Sequence, residues 1–277
     1  MPLFLRALPL SLQTFWRYLI LLPFLAIAAF VFYVIGSFIP FVSYLVPAAV
    51  SAYCLLAGLR IALVARGHYK RPSSKQLLMA SFVYAILLLV AKNVFGLVIG
   101  AGLLVMAQFG MTVNDSNILS YALVIFPLYY ILIAIYGSLI AVPMTEAVSA
   151  SPRGPDNGYF FGFGAGFFSL FPVTLLWAYG GKFFAFFGEV WTLFFMLLTA
   201  MVAAFNGEDI PWEWNFDLGY LLGGTLFMAW ASSWFFATAV LAWEKAGQRR
   251  KQDSIDAIEA ERLSADDLRA LRKSRQR

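Results

Sequence analysis

Long apolar stretches alternate along this chain with short charged loops, and the charge of those loops alternates in sign. Residues 66–76 carry four basic and no acidic side chains, whereas residues 206–217 carry four acidic and no basic ones. From position 244 onward the chain holds ten of its twenty Lys and Arg. In membrane proteins Lys and Arg collect in the loops that face the cytoplasm. The pattern therefore predicts a chain that crosses a bilayer several times, with basic loops inside and acidic loops outside.

Composition leaves little room for another class. Hydrophobic residues make up 61% of the chain and charged residues 13%, against roughly 25% charged in a soluble domain. A soluble fold of this size could not hide that much apolar surface, so lipid must solvate most of it. The pI of 9.3 follows from loops and tail that orientation in a membrane already explains, and no nucleic-acid partner is expected.

The spans follow from the apolar runs. Residues 1–16 are apolar but interrupted by Pro2 and Pro9, which suits an interfacial segment. Arg6 and Arg17 precede an apolar run of about twenty residues, longer than the 7–15 of a signal-peptide core, so this run reads as a retained first span. Spans are expected near 17–37, 41–65, 77–109, 120–142 and 218–243, with Pro127 kinking the fourth and Pro143 closing it. The third is long, since about 20 residues suffice to cross. Residues 158–205 are too long for one straight helix, and breaks are available at Pro172 and at Gly180-Gly181. Two crossings there would throw the basic tail outside, so one crossing plus a broken segment is expected.

The expected fold is thus all-α: a polytopic helical membrane protein with about six transmembrane helices over residues 1–243. A basic cytoplasmic tail, 244–277, should contain a short charged helix. Ser264 followed by Asp267 resembles a capping box that would start this helix. The expected setting is a bacterial cytoplasmic (inner) membrane, with both termini in the cytoplasm.

Few residues invite chemistry. Lys92 lies near the middle of the third span, where a charge is expensive and usually functional. Glu189 is the one carboxylate well inside the apolar region 159–205. Lys182, seven residues before it, shares its helix face. Lys92 and Glu189 could line a solute or ion path, or Lys182 could pair with Glu189 instead. Arg60 lies close enough to the basic loop to snorkel into it. Glycines four apart permit close helix approach, and three sets occur: Gly96 and Gly100; Gly158, Gly162 and Gly166; Gly219 and Gly223. Ser43, Pro47, Ser51, Cys54 and Gly58 form a further small stripe. Arg249, Arg250 and Lys251 follow the last span directly and suit docking to anionic lipid or a partner.

Enzymatic machinery is not expected. The single Cys54 lies in a span and the single His68 in a basic loop. These two cannot build a closed zinc site or a pair of axial haem ligands, so no metal or cofactor is expected. Arg66, His68 and Arg71 gather in sequence with no acid among them. The loop acids Glu208, Asp209, Glu213 and Asp217, beside Trp212 and Trp214, fit no calcium-loop spacing and read as an interfacial belt. The favoured reading is a non-enzymatic accessory or scaffold subunit of a membrane complex. Its expected partners are membrane lipids and other membrane subunits or a homo-oligomer. The alternative is a small permease or channel-like protein with a path past Lys92 and Glu189.

Overall fold

The computed structural model of the protein describes residues 2–38, 42–70, 72–108, 118–149, 160–207 and 216–275. These form eight helices and, among the described residues, no strand. They are α1 (Leu3–Arg6), α2 (Leu8–Ser37), α3 (Val42–Ala65), α4 (Ser74–Gln108), α5 (Ile118–Val148), α6 (Phe167–Ala178), α7 (Gly180–Asn206) and α8 (Phe216–Arg275). Five of them (α2, α3, α4, α5 and α8) are long and apolar enough to cross a membrane. Apolar side chains surround α2, α3 and α4 on all faces instead of forming one stripe, the pattern of helices solvated by lipid. The protein is a helical integral membrane protein.

Three observations place the segments at a common end. Arg66 pairs with Glu244. Gln76 at the start of α4 hydrogen-bonds Ser149 just past α5. Leu3 and Arg249 line one cavity. The start of the chain, the α3–α4 loop, the end of α5 and the charged part of α8 therefore lie together, at what is called here the basic end.

α8 is the central element. Of its most apolar stretch 67% is buried, and of that of α5 61%, against 11% for α2 and 17% for α4. The core lies where α3, α5 and α8 meet, around Leu56, Leu59, Leu63, Met144, Val148, Phe236 and Val240. α3 comes close to α8 at Gly58, where the ring of Phe236 occupies the space a Cβ would need. Tyr18 of α2 packs edge-on against the same ring, with centroids 5.4 Å apart.

The segment before α7 is built differently from expectation. Residues 160–166 form a turn, not a helix, with positive φ at Gly162 (66°), Gly164 (72°) and Gly166 (75°). L side chains rarely adopt that region. The turn and α6 then follow α8 antiparallel and in step. A Cβ on Gly162 would stand 3.6 Å from Ala246, and one on Gly166 2.9 Å from Ala242. Further along, Trp177 Nε1–H donates to Ser232 Oγ (3.1 Å), and Gly180 meets Met228. Pro172 sits inside α6 without breaking it, and the break comes at Tyr179. α7 packs on α8 and hardly touches α6, so α6 and α7 are consecutive pieces and not the two arms of a hairpin.

Two expected boundaries move. Pro143 does not close the fourth span, because α5 continues to Val148. A proline in a helix leaves the carbonyl four residues back without a donor. Here that carbonyl, Leu139 O, receives the Gly164 N–H at 3.1 Å, which makes the proline tolerable. The tail does not begin a separate helix near Ser264. α8 is one helix of 60 residues, about 90 Å long at 1.5 Å per residue. Its charged part is rich in Ala, Glu, Gln, Lys and Arg, all strong helix formers, with no proline to stop it.

Candidate functional site

Lys92 lies halfway along α4, roughly 25 Å from either helix end. It lines a cavity of about 180 Å³ between α3, α4, α5, α6 and α8. Most of the wall is apolar, including Leu55, Leu88, Met144 and Phe235. Tyr136 supplies the other polar group of interest. Its hydroxyl is buried and has no hydrogen-bond partner among the described residues. Phe95 holds the Tyr136 ring edge-on at 6.0 Å. Thr174, also in the wall, is already engaged, accepting from Ser138 Oγ (3.2 Å) and donating to Leu170 O (2.8 Å). Lys92 itself is exposed on the surface of α4, so it borders this cavity from outside, and the Tyr136 hydroxyl is the unsatisfied polar group within it. Trp177 borders this chamber and also a second one of about 440 Å³, which Tyr18, Cys54 and Ser232 help to line.

The expected acid for Lys92 cannot be placed. Lys182 and Glu189 lie on α7, and their side chains fall outside the described residues. The same is true of Gly158, of the surroundings of Gly219, and of the loop acids and tryptophans of 208–217. The remaining glycines divide. Gly223 is buried in α8. Gly162 and Gly166 do make close approaches, in the turn and not along a helix face. Among the described residues, nothing lies within 4 Å of where a Cβ would stand on Gly96 or Gly100.

A polar cluster that sequence reading missed closes the basic end. α3 ends in a Schellman turn. His68 N–H bonds Leu63 O (2.9 Å), Gly67 N–H bonds Val64 O (3.1 Å), and Gly67 takes φ 104°. This turn presents Arg66 and His68 to one carboxylate. Arg66 Nε lies 3.0 Å and His68 Nε2 3.1 Å from Glu244 Oε1. Arg66 and His68 therefore do have an acid, supplied by α8 from 176 residues away, while Arg71 lies outside the described residues. Neighbouring Trp243 packs edge-on to the His68 ring at 5.2 Å, and its indole N–H donates to Glu146 Oε2. Glu146 is 4% exposed and also accepts from Ser149 Oγ (3.4 Å). Gln76 Nε2 caps the end of α5 by donating to Ala147 O (3.0 Å) and Ser149 O (3.1 Å). Arg60 reaches the same loop, with Nη2 donating to Tyr69 O at 3.0 Å. The cluster ties α3, α4, α5 and α8 together.

Beyond it, residues 248–259 of α8 are exposed, including Arg249, Arg250 and Lys251. Arg250 stands over the Phe161 ring, 5.7 Å from its centroid. Among the described residues no three His, Cys, Asp or Glu side chains converge as metal ligands would. No family model, no curated protein and no solved structure matches this chain.

Proposed function

We propose that this integral membrane protein is a non-enzymatic accessory or scaffold subunit of a membrane complex, set in a bacterial cytoplasmic membrane with both termini in the cytoplasm. The observation that carries this reading is the continuity of α8. One helix is both the most buried span and the charged tail. The part after Trp243 continues for 32 residues, about 48 Å, and is exposed over 248–259. A rigid rod fixed in the centre of a bundle transmits position, which suits a docking element better than a flexible tail would. The exposed apolar faces of α2 and α4 offer surface to lipid or to other subunits. Removing residues 249–277 should release a partner while leaving membrane insertion and yield unchanged. Retention of every partner by the truncated protein would end the docking role.

A second reading, a small permease, is favoured by the Lys92–Tyr136 chamber and by the second cavity across Trp177. It requires Lys92→Leu to abolish transport at normal expression. Loss of expression instead would mark Lys92 as a folding residue.

A further inference from the structure

A cavity at the basic end is lined by neither Lys92 nor the Glu146–Glu244 cluster. It holds about 520 Å³ and lies between the glycine turn with the first turn of α6 on one side and α8 on the other. Its α8 wall is a single face: Ala242, Lys245, Ala246, Arg249, Arg250 and Asp253, spaced as helical neighbours three and four apart. From Ala242 to Asp253, about 16 Å of helix, the face passes from the buried apolar span to the exposed charged rod. The opposite wall is mostly apolar, with Leu3, Phe167 and Phe168 beside Ser169. Phe168 is 91% exposed, a state that water disfavours and lipid does not.

We propose that this cavity binds one anionic phospholipid, its phosphate against Lys245, Arg249 and Arg250 and its acyl chains along Phe167, Phe168 and Leu3. Charge complementarity points to this occupant. Three cations share the α8 wall with one carboxylate, Asp253, and neither Lys245 nor Arg249 forms an ion pair among the described residues. Arginine binds phosphate through paired N–H donors, and Arg250 stands over the Phe161 ring, 5.7 Å from its centroid. The N-terminal end of α6 opens on the same space with no acidic residue in its first turn, so its dipole adds to the positive field. The division of the wall into a cationic and an apolar half at one membrane boundary selects an amphipathic anion over a soluble one. The proposal needs only the membrane setting and is independent of whether the protein serves as an accessory subunit.

The test is native mass spectrometry of the purified full-length protein titrated with phosphatidylglycerol or phosphatidylcholine. The native chain should retain one phosphatidylglycerol and release phosphatidylcholine. Each lost surface charge weakens attraction to anionic lipid by a known increment, so Lys245→Gln/Arg249→Gln should weaken retention about thirtyfold. Lys251→Gln, which does not line the cavity, should behave as the native protein. Both substituted lysines and Arg249 are exposed, so an unchanged elution profile is expected for each variant. Equal retention of the two lipids, or no effect of the double substitution, would overturn the proposal. Displacement of the lipid by glycerol phosphate at equal concentration would also overturn it, assigning the pocket to a soluble phosphate.

Discussion

Pro143 and Gly164 share one carbonyl, and that arrangement shows what single residues do here. The proline frees Leu139 O, the glycine turn fills it, and the turn is thereby held on α5. Gly58 acts by absence, since the Phe236 ring takes the place of its side chain. The ring is 1% exposed and wedged against Tyr18, so it has little room to retreat. Gly58→Ala should destabilise the protein by about 1–3 kcal/mol, the usual cost of overpacking, read as a lower unfolding temperature in detergent. Glu146 accepts from Trp243 and Ser149 while buried. Glu146→Leu should cost about 1–3 kcal/mol, because it leaves the Trp243 N–H without its acceptor. Glu146→Gln keeps an acceptor oxygen and should lose much less in the same melt. Lys92 was legible in the sequence because a lysine in an apolar run is conspicuous. Tyr136 was not, because its missing partner is a property of the packed bundle. Nor was the Glu244 pairing, since only folding brings position 244 beside position 66.

At the scale of elements, hydropathy placed the long helices, because a run of twenty apolar residues has one stable form in lipid. It misjudged their ends. Pro143 stops a helix only when nothing satisfies the freed carbonyl, and here a donor arrives from 25 residues downstream. The spacing of Gly158, Gly162 and Gly166 fits a helix face, yet Gly164 between them makes every second residue of 162–166 a glycine. Such alternation suits a turn with repeated positive φ, and it was the signal available for this segment. The continuity of α8 through the membrane boundary was equally hidden, because composition changes there while helix propensity does not. If the rod transmits position, its straightness matters as much as its charge. Ser254→Pro removes a backbone donor and strains the helix by about 3 kcal/mol, roughly 16 Å past Trp243. It should weaken partner association as deletion of the tail does, while Ser254→Ala leaves association intact, both measured by co-purification.

For the whole molecule, the charge map and the structure agree that one end is basic. The start of the chain, the loop after α3, the end of α5 and the charged part of α8 all meet there. Reporter fusions at the N- and C-termini should therefore both read as cytoplasmic, and opposite readings would break the proposed orientation. What the sequence left open was the centre of the bundle. Hydropathy ranks spans by apolarity, and α8, the least apolar of the five by mean hydropathy, is the most buried. The reason is its smaller side chains and hydroxyls, Ser232, Ser233 and Thr238 among them, which are buried against neighbours and would gain little from lipid. A central helix that continues as an exposed rod is the basis of the scaffold reading. The most direct measurement is the intact mass of the assembly extracted gently from native membranes, with its components identified. A stoichiometric partner that is lost when 249–277 are removed is the predicted result. A monomer or homo-oligomer with no second protein would contradict the account and leave the Lys92 chamber as the feature to explain.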